Sequence, residues 1–284
     1  MKIVPENKVP SKEQIDNLIT IALDEDIGLG DITTRSIVSP DAIYVAEILI
    51  RENLVLCGLD ILKSVFSKLD PDVIFSNDCF SDGDYIKSNT KILDIKGNGV
   101  ALLEGERVAL NILQRLSGIA TLTKQYTKRA DPIQILDTRK TTPGLRSFEK
   151  YAVSCGGGKN HRFGLYDAVL IKDNHIKASG GIIQAVNKVK ESHNNSIQIE
   201  VETTTLAEVR EAIEAKSDII MLDNMSIENI KKAVHIIDGR ACTEVSGSIT
   251  IDQLSMLSKI NIDYVSIGAL THSSKASDIS MNFL

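Results

Sequence analysis

Residues 197–237 read IQIEVETTTLAEVREAIEAKSDIIMLDNMSIENIKKAVHII and contain two repeats of a short apolar run followed by a helical pattern. The runs Ile197–Val201 and Ile219–Leu222 predict strands, and the apolar spacing in Leu206–Ala215 and Ile227–Ile237 predicts helices. Strands that alternate with helices in this way are typical of a parallel sheet covered by helices. These residues therefore predict an α/β fold.

The same rhythm extends outward from these residues and begins after Pro132. Further apolar runs predict strands at Ile133–Leu136, Ala168–Ile171, Ala241–Val245 and Tyr264–Ile267. Apolar residues at helical spacing predict helices at Ile182–Lys190 and Ile251–Leu257. Six consecutive strand–helix units without a GxGxxG turn favour a βα barrel over an open doubly wound sheet.

The first third of the chain has a different organisation. Ser11 and Gln14 form the signature of a capping box at the start of the first helix. Strands are predicted at Ala42–Arg51, Asn53–Cys57 and Lys91–Lys96, the last ending in a GNG turn, and helices at Leu59–Leu69, Leu102–Leu116 and Ile119–Arg129. This mixture predicts a separate N-terminal α+β domain over residues 1–116, followed by a barrel domain over residues 117–270.

Composition limits the classes of function. The chain has 284 residues and a formal net charge of −6, which disfavours a nucleic-acid-binding surface. No run of 18 apolar residues predicts a membrane span, and the start MKIVPENKVP lacks the apolar core of a signal peptide, so we expect a cytoplasmic protein. The four cysteines are scattered and are interpreted as reduced structural thiols.

Polar or charged residues stand at the end of nearly every predicted strand of the barrel. In a βα barrel these carboxyl ends converge on one face, where the chemistry takes place. The residues concerned are Asp137, Thr138, Arg139, Lys140, Lys172, Asp173, Glu200, Glu202, Asp223, Asn224, Glu244, Ser246, Gly247, Ser248, Ser266 and Gly268. Glu200 lies on the same face of its strand as Glu202, because side chains alternate with a period of two.

Residues 137–175 hold the densest group of cations in this acidic protein. Seven Lys or Arg stand against four Asp or Glu there, and interleaved glycines place the cations on turns. Guanidinium groups recognise carboxylates and phosphates in two-point geometry, and ammonium groups add point charge. We therefore predict an anion pocket built from Arg139, Lys140, Lys159, His161, Arg162 and Lys172.

The strand ends predict three kinds of ligand group. The cations suit a small molecule with several carboxylates or phosphates. Glu202 and Asp223 suit sugar hydroxyls or a hydrated Mg²⁺, which typically takes one or two protein carboxylates together with phosphate oxygens. The SGS and SIGA turns lie between a strand and a helix and offer backbone N–H groups to a phosphate. One substrate is thus predicted to be a polyanion, and another a phosphorylated sugar held with metal.

Several motifs resemble the quinolinate phosphoribosyltransferase family, the type II phosphoribosyltransferases of NAD biosynthesis also called carboxylating nicotinate-nucleotide pyrophosphorylases. In chain order they are EDIGLGDITT, GERVALNILQRLSGIAT, DTRKTTPGLR, GGGKNHRFGLYDAVLIKDNHI, EVET, MLDN and SIGALTHS. They extend from about residue 24 to 273, and the GGGKNHRFGLYD and KDNHI motifs are the most specific. The resemblance implies an incomplete barrel of six or seven strands, with the tail 271–284 returning to the N-terminal domain.

The resemblance also implies roles for individual residues. The two carboxylates of quinolinate would be held by Thr138, Arg139, His161, Arg162 and Lys172. Lys140 would lie between quinolinate and phosphoribosyl pyrophosphate, and Glu202 and Asp223 would hold the ribose hydroxyls and Mg²⁺, directly or through water. The residues expected to carry the reaction are Lys140, Lys172, Glu202 and Asp223.

Two further sets of residues follow from the same resemblance. The 5′-phosphate would be bound by Ser246, Gly247, Ser248, Ser266, Ile267 and Gly268. Ser248 departs from the pattern, because many relatives have glycine there. Arg107 resembles the arginine that enters the site of the neighbouring subunit, so a homodimer is implied, while assembly into a hexamer is left open.

Four alternatives are compatible with parts of this pattern. A Schiff-base aldolase would use Lys172 as its amine, but it leaves the other charged groups without a joint purpose. A relative associated with molybdate transport, a nicotinate-specific transferase and a non-catalytic anion-binding protein are the others. His175 is interpreted as ordering its loop, and His193, His235 and His272 as structural or exposed residues.

Overall fold

The fold is that of a computed structural model, which describes residues 9–76, 79–194 and 196–284. Residues 1–8 lie outside the described residues. They belong to the predicted N-terminal domain and to the segment MKIVPENKVP. The elements, in chain order, are α1 (Lys12–Ile27), α2 (Ile32–Ile37), β1 (Ile43–Ile50), β2 (Leu54–Val55), α3 (Leu59–Leu69), β3 (Ile74–Phe75), β4 (Tyr85–Ile86), β5 (Thr90–Asn98), α4 (Gly99–Ala130), β6 (Gln134–Leu136), α5 (Arg146–Cys155), β7 (Val169–Ile171), α6 (Asp173–Ser179), α7 (Ile182–Ser192), β8 (Ile199–Thr203), α8 (Leu206–Glu214), β9 (Ile219–Asp223), α9 (Ile227–Ile237), β10 (Cys242–Ser246), α10 (Ile251–Leu257), β11 (Tyr264–Ser266), α11 (Ala269–His272) and β12 (Ile279–Phe283).

The described residues form two compact units. One contains residues 125–141 and 158–272, and we call it the catalytic unit; the other contains the described residues of 8–124, 142–157 and 273–284. The predicted boundary between residues 116 and 117 and the division between residues 124 and 125 both lie within α4, which is one helix where two helical stretches were predicted. Residues 142–157 join the second unit through contacts such as the 2.7 Å ion pair between Arg115 and Glu149, which a local pattern does not reveal.

The catalytic unit is built on a six-stranded parallel sheet. Its strand order is β6-β11-β10-β9-β8-β7, so β6 and β7 are its edges, and the described strands do not close into a barrel. All six predicted strands are present, with ends shifted by at most two residues. The α/β fold with an incomplete barrel is therefore confirmed.

Caps and apolar faces explain why the helices of this unit begin where they do. The Thr205 side chain accepts a hydrogen bond from the backbone N–H of Glu208, which forms a capping box at α8. Ser226 accepts one from the N–H of Asn229 at α9. The apolar faces of both helices are buried, and this burial stabilises the helices more than their intrinsic propensity does.

The second unit contains a four-stranded antiparallel sheet of order β12-β1-β5-β3. The C-terminal strand pairs with β1, with Ala46 opposite Phe283. The predicted GNG turn is wrong, because Gly97 and Asn98 continue β5. A Cβ at Gly97 would lie 2.7 Å from the Asp70 carboxylate, and the Asn98 side chain accepts a hydrogen bond from Val100 N at the start of α4. Glycine here serves close packing in a strand.

Three further expectations have a structural outcome. Among the described residues, no helix is long and apolar enough to cross a bilayer. All four cysteines are free thiols. Residues 137–175 contain α5, a helix that the sequence did not predict. The six residues predicted for the anion pocket lie outside this helix, in loops or, for Lys159, at an isolated β-bridge.

Candidate active site

A cavity of about 760 Å³ opens at the carboxyl ends of the parallel strands in the catalytic unit. It brings together most of the predicted site residues of that unit, namely Thr138, Arg139, Lys140, His161, Arg162, Lys172, Glu202, Asp223, Ser246, Gly247, Ser248, Ser266, Ile267 and Gly268. Lys159, which was also predicted for the anion pocket, is exposed and does not line this cavity. Arg107 belongs to the second unit, and its side chain is 59% exposed. Polar residues at strand ends thus meet at one face, as parallel strands require.

Asp137 holds the loop that carries two of the predicted anion-binding residues. Its buried carboxylate accepts hydrogen bonds from the His161 backbone N–H at 2.9 Å and from Asn160 Nδ2 at 2.7 Å. A parallel bridge between Leu136 and Lys159 extends this contact along β6. Asp137, which directly follows β6, therefore fixes the position of His161 and, through it, of Arg162.

Arg139 and Arg162 line the cavity, and each has one buried guanidinium nitrogen. The Nε atoms of both are buried and have no hydrogen-bond partner among the described residues. Arg162 is 7% exposed, and its Nη1 donates to the Ala168 carbonyl at 3.1 Å. Burial, and then the positive charge of Arg139, lower the pKa of Arg162. An anion that accepts hydrogen bonds from both guanidinium groups would give the two Nε atoms a partner and would reduce the repulsion between the two cations.

Lys172 and Glu202 form an ion pair in the cavity, with 2.5 Å between Nζ and Oε2. Their side chains are 43% and 15% exposed, so solvent weakens the attraction. The Lys172 backbone N–H donates to His175 Nδ1 at 3.0 Å, which agrees with the interpretation of His175 as a loop-ordering residue. The pair places a cation and a carboxylate where ligands with both anionic and hydroxyl groups would contact them.

The ends of β9 and β10 are joined tightly around Gly247. Asn224 has a φ of 52°, and its Nδ2 donates to Asp223 Oδ2 at 2.8 Å. Its backbone N–H donates to the Ser246 carbonyl at 3.0 Å. A Cβ at Gly247, where φ is 107°, would lie 2.8 Å from Asn224 N. Only glycine suits this position, which brings the 246–248 turn close to Asp223.

The other predicted phosphate-binding turn lies beside Lys140. A Cβ at Gly268 would lie 2.9 Å from Lys140 Cδ, so the absence of a side chain makes room for the lysine. The Thr271 hydroxyl donates to the Lys140 carbonyl at 2.8 Å. The Ile267 backbone N–H donates to the Leu136 carbonyl at 2.9 Å, so that amide is already engaged within the fold. The prediction of a phosphate contact at Ile267 therefore cannot rest on its amide.

Two buried carboxylates lie beside His161, one of the residues that line the cavity. His161 Nε2 is 2.9 Å from Glu200 Oε2 and 3.7 Å from Glu244 Oε1. Glu244 is 1% exposed, and burial, followed by the charge of Glu200, raises its pKa to about 8. Glu244 was noted at a strand end but was not predicted as a site residue. The sequence does indicate a place in the site, because Glu244 precedes Ser246 by two residues and therefore lies on the same face of β10.

Other residues of the cavity wall were also missed. They are Tyr126, Leu170, Met221, Asn224, Ile249, Thr250, Ala269 and His272. His272, interpreted as structural or exposed, is exposed and lines the cavity. Apolar wall residues carry no sequence signal of their own, since the same residue types fill the core.

Comparisons with known proteins agree with this geometry. The family model "Quinolinate phosphoribosyl transferase, C-terminal domain" matches residues 119–282, and its N-terminal counterpart matches residues 31–117. A probable carboxylating nicotinate-nucleotide pyrophosphorylase of Bacillus subtilis is 44% identical over 273 residues, covering 95% of this chain and 93% of the relative. The chloroplastic carboxylating nicotinate-nucleotide pyrophosphorylase of Arabidopsis thaliana is 43% identical, covering 93% and 81%.

Solved structures give the same result. NadC from Streptococcus pyogenes superposes with a TM-score of 0.93 at 43% identity, covering 98% of this chain and 99% of the other. The nicotinate-nucleotide pyrophosphorylase of Francisella tularensis superposes with a TM-score of 0.93 at 42% identity, covering 98% of both chains. The chain belongs to the quinolinate phosphoribosyltransferase family.

Proposed function

We propose that this chain transfers the phosphoribosyl group of phosphoribosyl pyrophosphate to quinolinate and releases pyrophosphate and CO₂, giving nicotinate mononucleotide for NAD biosynthesis. It would thus be a pentosyltransferase, a carboxylating nicotinate-nucleotide diphosphorylase. The observation that carries this proposal is the pair of buried guanidinium Nε atoms of Arg139 and Arg162, without hydrogen-bond partners among the described residues, in a cavity that also holds Glu202 and Asp223. Relatives more than 40% identical over most of their length bear the corresponding names.

The cationic part of the cavity suits a small dicarboxylate. Arg139 and Arg162 offer planar forks, and His161 and Lys172 add donors in the same cavity. Each charge-assisted hydrogen bond to a carboxylate contributes roughly 1.5–3 kcal/mol when water is excluded. When a carboxylate approaches Lys172, it competes with Glu202 for the ammonium group, so quinolinate binding would free Glu202 for the second substrate.

The carboxylate part of the cavity suits the ribose and its phosphates. Glu202 and Asp223 are the residues we assign to the ribose hydroxyls and to Mg²⁺, held directly or through water. Two carboxylates on neighbouring strands fit an ion that keeps several water or phosphate oxygens in its shell. When bound, Mg²⁺ would neutralise charge on the leaving pyrophosphate. The 246–248 turn and Gly268 would approach the 5′-phosphate closely, because Gly247 and Gly268 have no side chain there.

These residues act by positioning and electrostatics. Displacement at the anomeric carbon passes through a cationic, oxocarbenium-like state, which the carboxylates of Glu202 and Asp223 would stabilise. Lys140, held by its contact with Thr271, would place its charge between the two substrates. Quinolinate held by Arg139 and Arg162 would present its ring nitrogen to the anomeric carbon. No covalent nucleophile is needed for this displacement.

We also propose a homodimer in which Arg107 completes the site of the neighbouring subunit. Its side chain is exposed, and its ion-pair neighbour among the described residues is the adjacent Glu106, at 3.7 Å. The segment from α1 to α2 exposes Ile21, Leu29, Ile32 and Ile37, an apolar set that a partner chain would cover. A cytoplasmic location stays a prediction, since some plant relatives have mitochondrial or chloroplastic names.

The proposal is tested by following pyrophosphate and CO₂ together with quinolinate, nicotinate or nicotinamide as acceptor and Mg²⁺ present. We expect equal release of both products with quinolinate alone. Activity on nicotinate, or pyrophosphate without CO₂, would mean a different acceptor or an incomplete reaction. No release with any of the three from correctly folded protein would favour the molybdate-associated relative or an anion-binding protein.

A further inference from the structure

The second half of the proposed reaction needs a proton. When the carboxylate next to the ring nitrogen leaves as CO₂, the carbon–carbon bond breaks and its electron pair stays on the ring carbon. That carbon then takes up one proton to give the nicotinate ring. Water that reaches the ring would also interfere with the preceding transfer, so a proton held by the protein inside the cavity has a clear use.

We propose that Glu244 stores this proton and that His161 relays it to the ring carbon after CO₂ leaves. The inference rests on the proposed function and assigns Glu244 a role that the transfer step does not need. In balanced form, His161 gives an N–H proton to the carbon and takes the carboxyl proton of Glu244. The Glu244 carboxylate regains a proton from solvent when the product leaves.

The positions of His161, Glu200 and Glu244 carry this assignment. One ring nitrogen of His161 and one carboxylate oxygen from each of Glu200 and Glu244 all lie within 4.8 Å of one another, and both glutamates are buried. Burial and a second carboxylate this close both disfavour ionisation of Glu244, which therefore retains its proton. His161 Nε2 is 2.9 Å from Glu200 Oε2 and 3.7 Å from Glu244 Oε1, so Glu200 is the closer partner of the imidazole. Glu244 is the carboxyl group that burial holds in its acid form.

The surroundings of Glu244 support its neutral form at physiological pH. Its Oε1 is buried without a hydrogen-bond partner among the described residues. Burial and the Glu200 charge raise its pKa to about 8, and the charges of His161 and Lys172 and a hydrogen bond from Ser266 lower it by less. Both Glu244 and His161 also line the cavity, so the proton has a short path to a bound ring.

The test separates the two halves of the reaction in a single turnover with enzyme in excess. Glu244→Gln keeps the size of the side chain but removes the acid. We expect pyrophosphate release to stay within about threefold of the wild type. We expect CO₂ release to slow about 100-fold or more, with quinolinate mononucleotide accumulating, because general acids contribute about 10²–10⁴-fold and an unprotonated carbanion recaptures the CO₂ beside it.

Two controls distinguish a proton store from a structural role. Glu244→Asp retains the acid on a shorter stem and should restore part of the CO₂ rate. In the wild type, the ratio of CO₂ to pyrophosphate rates should fall as pH rises above about 8, where Glu244 ionises. This second measurement applies even if the glutamine variant fails to fold.

The inference is overturned if pyrophosphate and CO₂ slow equally in Glu244→Gln, or if neither slows. A wild-type ratio that stays constant from pH 7 to about 9.5 also overturns it, since the proposed donor would then be irrelevant. Failure of the proposed function is recognised separately, because the wild-type protein would then release no CO₂ from quinolinate at any pH.

Discussion

Replacing Arg162 by alanine should weaken quinolinate binding far more than phosphoribosyl pyrophosphate binding. Arg162 has five N–H donors, and its hydrogen bond to the Ala168 carbonyl uses one nitrogen, Nη1. A bidentate contact to a carboxylate comprises two charge-assisted bonds, which together contribute about 3–6 kcal/mol. Since about 1.4 kcal/mol corresponds to tenfold in affinity, the loss should be at least about 100-fold.

Isothermal titration calorimetry with each substrate separately measures this difference. We expect the Kd for phosphoribosyl pyrophosphate to change by less than about threefold, well under 1 kcal/mol. Arg162→Lys keeps the charge but loses the planar fork, so it should recover only part of the quinolinate affinity. Arg240→Ala is the matched control, because Arg240 lies in the same unit and donates to the Ile237 carbonyl, away from the cavity wall. Equal weakening of both substrates by Arg162→Ala would refute the assigned clamp.

Three further predictions concern backbone strain, subunit exchange and pH. Ser248 has a φ of 48°, so Ser248→Gly should stabilise the fold by about 0.5–1 kcal/mol in thermal unfolding, and a lower Tm would contradict this. If Arg107 acts across subunits, mixing inactive Arg107→Ala and Lys172→Ala chains should restore partial activity, and no recovery despite verified exchange would place Arg107 in its own subunit. Glu244 has a raised pKa, so its stabilising effect is full below about 4.5 and lost as pH rises to about 8. The free energy of unfolding of the wild type, measured with denaturant, should therefore fall relative to that of Glu244→Gln as pH rises from about 4.5 to about 8. If the two free energies depend on pH in the same way, Glu244 is not a neutral buried acid.

The parallel sheet and its strand-end residues could be predicted because both depend on local pattern. A run such as Ile219–Leu222 predicts a strand from its own residues, and Asp223 follows it directly. The carboxyl ends of parallel strands share one edge whatever their order in the sheet, so Lys172, Glu202 and Asp223 were placed together without knowledge of the strand order. The structure gathers all three around one cavity.

The elements that were missed depend on contacts between distant residues. α5 lies in a stretch rich in glycine and cations, and its place in the second unit rests on the buried Glu149, which pairs with Arg115. The GNG stretch resembles a turn, yet Gly97 stays in its strand because the Asp70 and Val73 side chains approach it. Neither cause is visible within a short window of sequence.

The sequence by itself determined the βα rhythm, the identity of the polar strand ends and the family resemblance, because each is a property of neighbouring residues. The tertiary structure decided which of these groups meet and how they ionise. Glu200 and Glu244 stand 44 positions apart in the chain, and only the sheet order β8-β9-β10 brings them to one histidine. Their burial and mutual repulsion raise the pKa of Glu244, and such a shift depends on the surrounding charges and solvent rather than on residue type.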